Sequence, residues 1–425
     1  MRQRGQALLG LLVLLGIAGS VFVYNLIDPA EASARRQARI ETTLREARDA
    51  LIGRAASDAN RPGSLPCPDV DDDGVLTLNV DFFSGGVCAN LIGRLPWRTL
   101  GLPDLRDSSG ERLWYALSDR FSDNSGVGPI NSDIKGNVTV YHDPPPAPFV
   151  TNEAVAIIFS PGAALGTQDR SCTVGVNCTA NGQCTTSPAS LTPKCNPANY
   201  LDTVAPVNNA TTGGPFIGAP PSGTFNDRLL VITTADLMPV VEQRVAREVL
   251  ASLETYRNLI GAYPWADCSD GSSDVPPDYV NRGRIPFVTT LPADWSSPPT
   301  PPFLPAWFGP NYWNWVIYYA AGKIYLQGGG ASCTTCQDPE LTLTGVGTKR
   351  VAIIMTGPSS VSPPPGPPGS SNICSKSDWQ AYLEDPENVK DKDNPLSSDD
   401  TFKRPSSTAY VRDRLYTCPG TPGIC

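Results

Sequence analysis

The chain has 425 residues, 40% of them hydrophobic, and a formal net charge of -9. That length suffices for two or three ordinary domains, and the acidic balance leaves no basic surface for phosphates, which excludes nucleic acid as a partner. The 43 prolines and 38 glycines follow no Gly-X-Y period, which excludes collagen, while 8 Trp, 14 Tyr and 12 Phe supply rings that must be buried, which excludes disorder throughout.

The first predicted element is apolar. After the basic Arg2 and Arg4, Leu8 to Ile27 is interrupted only by the polar Ser20 and Asn25. Roughly 20 such residues cross about 30 Å of hydrocarbon as a helix, so residues 6–29 are read as a transmembrane segment. Arg2 and Arg4 would stay in the cytoplasm and the bulk would lie outside it. A cleaved secretory signal is the rival reading, with Ala32-Ser33-Ala34 as its site. The run is longer than a signal's usual apolar core of about 7–15 residues, and helical patterning continues past it. Ile40, Leu44, Ala47 and Leu51 recur on one helix face, with Glu41, Arg45 and Arg48 on the others. The expected result is a membrane helix leading into a stalk, kinked or separated at Pro29.

Beyond the stalk the chain reads twice. The first unit, residues 30–236, runs from Leu44–Gly53 through Leu65-Pro-Cys-Pro-Asp69, an Asp/Gly loop and Gly93-Arg-Leu-Pro-Trp97. It continues through Leu113–Ala116, Val155–Phe159, Asn199–Asp202 and Asp227–Leu230. The second unit, residues 237–425, repeats the order with Leu253–Gly261, Tyr263–Cys268, Gly283-Arg-Ile-Pro-Phe287, Val316–Ala320, Val351–Met355, Ala381–Glu384 and Asp413–Tyr416. Its helix is expected from Leu237 to Ile260, with Pro239 in the first turn. Strands are expected at Val138–Tyr141, Val155–Phe159, Leu229–Thr233, Trp315–Tyr319, Lys323–Gln327 and Val351–Met355. A helix followed by strands in each unit predicts an α+β fold, each long helix packed on an antiparallel sheet. Pro144–Pro148, Pro298–Pro305 and Ser359–Ser371 read as loops.

The sharpest local motif is Asp69-Val-Asp71-Asp-Asp73-Gly74. Alternating carboxylates followed by glycine match the first half of an EF-hand loop. The twelfth position is Val80, which excludes a true EF-hand and leaves a looser calcium loop completed by Asp81, or a solvated acidic turn. Asp267, Asp270 and Asp274 form a poorer counterpart in the second unit. The 12 cysteines imply disulfides and an oxidising compartment. Cys67 and Cys88 flank the acidic loop as a candidate pair. Cys172, Cys178, Cys184 and Cys195 permit three pairings, with a four-cysteine zinc site as the alternative. Cys333 and Cys336 have redox-motif spacing without a thioredoxin context, and Cys268, Cys374, Cys418 and Cys425 complete the even total. Cys418 and Cys425 could fasten the tail to each other. His142, the only histidine, stands at a strand end, and no G-x-S-x-G, P-loop or dinucleotide-binding pattern occurs, so no enzyme is expected. The aromatic run Trp307–Trp315 reads as core packing, with a carbohydrate contact as the alternative.

Met1-Arg-Gln-Arg-Gly5 followed by Gln6-Ala-Leu-Leu resembles a type IV prepilin leader. The resemblance implies cleavage after Gly5 by a prepilin peptidase, with Gln6 as the new amino terminus. Gln6 stands where the family usually has Phe or Met, and Gly10 where it usually has Glu. The missing Glu is similar to the large minor pseudopilin at the tip of the type II secretion pseudopilus. The two motifs Leu65–Asp69 and Gly93–Trp97 also resemble a group of bacterial prepilin-like proteins. What this implies is a minor pilin or pseudopilin acting by assembly, as initiator, cap or decoration. Its partners would be other pilin subunits, the prepilin peptidase and the inner membrane, with a single-pass anchor and the bulk extracytoplasmic. Calcium in the globular part would fit that family. The alternative is a membrane-anchored extracytoplasmic binding protein or adhesin.

Overall fold

Leu44, Ala47, Leu51 and Ala55 are buried along one face of helix α1 (Pro29–Ser57). Their spacing sets the carboxy-terminal half of the helix on the core, while its first turns stand in solvent. The structure, a computed structural model, describes residues 13, 15–16, 29–79, 87–124, 126, 128–176, 178–184, 193–266, 281–285, 304–326, 340–345, 347–357, 383, 388, 401–402 and 414–417.

Eight strands follow α1: β1 (Ile92–Arg94), β2 (Trp114–Leu117), β3 (Val138–Tyr141), β4 (Phe149–Ser160), β5 (Thr203–Val204), β6 (Val207–Asn208), β7 (Phe216–Ile217) and β8 (Arg228–Thr233). β5 and β6 form a ribbon of their own. The other six make one sheet in the order β1-β2-β4-β3-β7, with β8 also paired to β4. All of its pairs are antiparallel except β3 with β7. The long β4 is the hinge of this sheet, since Ala154 pairs with Val138 on β3 and with Thr233 on β8.

β8 runs directly into helix α2 (Thr234–Ile260). Asp236 accepts the Thr233 N–H at 2.9 Å, which satisfies a donor at the helix start. Gly261, at φ 87, ends the helix in the left-handed region and gives its N–H to the Arg257 carbonyl. Because the helix begins at Thr234, Pro239 lies in the second turn, beyond the first-turn place expected for it. The unit boundary expected between 236 and 237 falls within this helix.

The second half adds β9 (Arg282–Arg284), β10 (Ile317–Ala321), β11 (Leu341–Leu343), β12 (Gly347–Lys349), β13 (Val351–Met355), β14 (Thr401–Phe402) and β15 (Arg414–Thr417). β15-β13-β10-β9 form an antiparallel sheet, and β12-β11-β14 a small mixed one. The order β15-β13-β10-β9 matches β8-β4-β2-β1 in the first sheet, station for station along the chain. Two sequence expectations shift here. Trp313–Trp315 is a short 3-10 turn, so the strand expected at Trp315 begins at Ile317, and Lys323–Tyr325 is a 3-10 turn in place of a strand.

One core unites these pieces. Leu51 and Ala55 of α1, Val241, Val245 and Val249 of α2, Tyr115 and Ile158 of the first sheet and Tyr319 and Ile353 of the second belong to a single buried cluster. The opposite faces are covered too, by Trp114, Ile157, Phe159 and Phe216 on one sheet and by Ile354, Leu341 and Phe402 on the other. A strand buried on both faces has no reason to alternate, which explains the unbroken apolar runs Val155–Phe159 and Val351–Met355.

The expected architecture is therefore corrected. Two separate pilin-like units, each a helix on its own antiparallel sheet behind a transmembrane helix, do not describe the fold. Among the described residues it is strand-rich, its first sheet is mixed, and α1 and α2 pack on each other, α1 also on β4 and β8 and α2 on strands of both main sheets. The physical reason is the β8-to-α2 junction, which puts the second helix against β4 and β8 as well as β13 and β15. The single-pass membrane localisation is corrected as well: among the described residues no helix is long and apolar enough to cross a membrane. Of the span expected at 6–29, only residues 13, 15, 16 and 29 are described, and the leader at 1–5 lies outside the described residues.

Candidate functional site

The acidic loop is built around Asp69. Its backbone is bridged to Arg94 of β1, with Arg94 N–H to Asp69 O at 2.6 Å and Asp69 N–H to Arg94 O at 3.0 Å. Gly93 permits this approach, because a Cβ there would meet Asp69 O at 2.5 Å. Asp69 Oδ1 then accepts the N–H groups of Asp71, Asp72 and Asp73 at 3.2, 2.7 and 3.3 Å, and Oδ2 that of Gly74 at 2.7 Å. The turn therefore closes on its own carboxylate, and Asp72 and Gly74 take positive φ of 65 and 87. Burial, opposed by the Gly74 N–H and reinforced by Asp71 and Asp72, pushes the Asp69 carboxyl up to about 7.

Asp69, Asp71 and Asp73 each offer a carboxylate oxygen within 4.8 Å of the others, as the motif predicted. Asp73 Oδ1 accepts the Val75 N–H at 2.6 Å, and Asp71 Oδ1 is buried without a hydrogen-bond partner. Three oxygens of this kind suit a hard cation, which needs six to eight such ligands in all if it is calcium. Asp81, proposed as a fourth ligand, lies outside the described residues, as do Asp267, Asp270 and Asp274 of the second loop.

Asp72 belongs to a different group. Its carboxylate is buried, 2.7 Å from both Arg112 Nη1 and Lys194 Nζ and 3.7 Å from Arg94 Nε. Burial alone would raise this carboxyl, but Arg94, Lys194 and Arg112 outweigh it and hold Asp72 below its ordinary range. These groups line one end of a polar cleft of about 520 Å³, to which Arg98, Arg106, Arg170, Glu111, Asp73 and Tyr200 also contribute. Arg94 lies over two neighbouring aromatic rings, 4.0 Å from the centre of Tyr200 and 4.6 Å from that of Trp114, which are tilted against each other with centres 5.2 Å apart. Arg170 lies over the same Tyr200 ring at 4.6 Å. Arg94 is only 4% exposed, its Nε makes no hydrogen bond, and its Nη2 donates to Lys194 O at 3.2 Å.

Disulfides hold the walls of the cleft. Cys67–Cys88, Cys172–Cys178 and Cys184–Cys195 pair at Cα separations of 5.2, 5.5 and 6.1 Å. The first closes the acidic loop, as its flanking positions suggested. The other two resolve the four-cysteine group into two small loops, which removes the zinc alternative for those residues. Cys184 N–H donates to Asp71 O at 3.0 Å, so the second small loop is tied to the acidic turn. Cys268, Cys333, Cys336, Cys374, Cys418 and Cys425, with Gly5 and Gln6, lie outside the described residues.

Behind the cleft, Asp227 accepts the Asp202 N–H and Asn209 Nδ2, both at 2.8 Å. Burial and the neighbouring Asp202 push its carboxyl up to about 8. His142 is exposed beside Asp143, away from the cleft. Trp307, Phe308 and Trp313 are buried in the shared core, which assigns the aromatic run to packing.

The sequence reading located the acidic turn and missed the cations. Arg94 lies in the Gly-Arg-Leu-Pro-Trp motif, and Lys194 is the neighbour of Cys195, but Arg112 and Arg170 carry no local signal. No known protein family, curated protein or solved structure matches the chain.

Proposed function

We propose that the chain is a binding protein of an oxidising compartment that recognises an anionic ligand in the cleft and acts without bond-making. The observation that carries this reading is the convergence of Arg94, Arg98, Arg106, Arg112, Arg170 and Lys194 on one cavity in a chain of net charge -9. These six cations outnumber the three carboxylates of the same lining, Asp72, Asp73 and Glu111, and a locally positive cleft in a negative chain draws anions to it. Arg94 supports it further, because its buried Nε makes no hydrogen bond and stands 3.7 Å from Asp72, its counter-ion, so the guanidinium keeps donor capacity. The disulfides support the compartment. Calorimetric titration with acetate, sulfate and phosphate tests the reading. Saturable binding that weakens with salt and is lost in Arg94→Ala is the expected result, and no saturable binding by any anion overturns it.

A second reading is supported by the Met1–Gly5 leader: processing after Gly5 and action by assembly with filament subunits. Gly5→Val should block processing in cells that contain a prepilin peptidase, and an unchanged mature size removes this reading. Calcium at Asp69, Asp71 and Asp73 is a further component of the proposal, supported by the unpartnered Asp71 Oδ1.

A further inference from the structure

The lining of the cleft restricts what kind of anion enters it. The cations are not alone: Glu111, paired with Arg170 at 3.3 Å, and Asp73 also line the cavity, as do Asn181 and Gln183 from the turn between the two small disulfide loops. A multiply charged phosphate would face these two carboxylates at close range, and like charges so placed oppose it. Phosphate sites are also commonly made from backbone N–H groups at glycine-rich turns or helix starts, whereas this cavity is walled by planar side chains. A fatty or aromatic anion would require an apolar wall. Here the rings of Trp97, Trp114 and Tyr200 are capped by Arg98, Arg94 and Arg170. What suits the lining is one negative charge beside several hydroxyls. The carboxylate would meet guanidinium forks, and the hydroxyls would donate to Glu111 and Asp73 and exchange hydrogen bonds with the amides.

We infer that the ligand is an acidic sugar, a uronate whose carboxylate is read by Arg94 together with Arg98 and whose ring hydroxyls are read by Glu111, Asp73, Asn181 and Gln183. This rests on the anion-binding reading and makes it specific. Arg94 supplies a buried Nε without a hydrogen bond, 3.7 Å from Asp72, and Arg98 is an exposed guanidinium that makes no ion pair among the described residues, only a stack over Trp97 at 4.9 Å. A volume of about 520 Å³ accommodates a sugar ring with its substituents.

Isothermal titration of the full chain with galacturonate, glucuronate, galactose, acetate and phosphate at matched ionic strength tests this. At least one uronate should bind about tenfold or more tightly than galactose and than acetate, the size of one charge-assisted hydrogen bond gained or lost. Gln183→Ala, in a surface loop where misfolding is not a concern, should lower uronate affinity several-fold and leave acetate unchanged. Arg98→Ala, also at the surface, should weaken uronate and acetate together. If acetate or phosphate binds as tightly as the tighter uronate, the sugar is overturned and anion binding stands. If galactose equals the uronates, or nothing binds, both fall.

Discussion

The guanidinium of Arg94 lies 4.0 Å from the centre of the Tyr200 ring and 4.6 Å from that of Trp114, over two rings whose centres are themselves 5.2 Å apart. The arrangement joins β1, β2 and the turn after Pro197 into one wall, and it keeps a cation in place where water is largely excluded. A desolvated cation–π contact is worth about 2 kcal/mol, and Arg94 has two of them besides its share of Asp72. Arg94→Ala should therefore cost about 2–4 kcal/mol in urea denaturation. Arg94→Lys keeps the charge but loses the planar fork, so it should recover less than half of that. A loss below about 0.5 kcal/mol for Arg94→Ala would show that the ring contacts are incidental.

Asp72 is the internal counter-ion of Arg112, Lys194 and Arg94. Asp72→Asn leaves buried and half-buried cations facing a neutral amide, and should destabilise the fold by about 3–5 kcal/mol. The pH dependence has a definite sign. The folded carboxyl is held below its unfolded value, so its contribution is present above the ordinary carboxylate range and is lost as pH falls through the folded value. Wild type should lose stability in acid more steeply than Asp72→Asn in parallel melts at about pH 6 and about pH 3, on either side of the usual Asp range.

Asp227 behaves in the opposite sense. Its folded carboxyl sits at about 8, well above the unfolded value, so its contribution is complete in acid and is lost as pH rises through that range. Between about pH 4 and 8 this single group should lower stability by about 1.4 kcal/mol per pH unit. Asp227→Asn should flatten that slope. An unchanged slope would mean that Asp227 is ionised in the folded protein.

Calcium should raise the melting temperature if Asp69, Asp71 and Asp73 bind it, because a ligand held only by the folded state stabilises by mass action. The shift should be saturable, reversed by a chelator and absent from Asp71→Asn. Equal shifts in wild type and variant would place any bound calcium elsewhere.

Cys67–Cys88 closes a loop across a sequence separation of 21 residues. Replacing both by Ser should cost about 3 kcal/mol of stability. Because the loop carries Asp69 and Asp72, ligand affinity should fall with it, as calorimetry on the double variant would show.

Local pattern was enough for much of the fold. The face Leu44, Ala47, Leu51 of α1, the whole of α2 to within three residues, and the strands Val138–Tyr141 and Val351–Met355 follow from periodicity and β-branched content. The repeated order of stations reappears as matching strand orders in the two sheets. Lys323–Tyr325 failed because its alternation resembles a strand while Gly322, just before it, starts a tight turn.

The sequence by itself determined the acidic turn, since carboxylates two residues apart with glycine next depend only on neighbours along the chain. It also determined the even cysteine count and, with a single histidine, excluded a metal site made of several histidines. Only the tertiary structure decided that Asp72 leaves its neighbours and pairs with Arg112 and Lys194, that Arg94 lies over the paired rings of Trp114 and Tyr200, and that both helices share one core. The reason is physical. A charge cluster assembled across β1, β2 and a disulfide loop is specified by backbone pairing and burial, which hold no fixed spacing in the chain, so no local pattern can announce it.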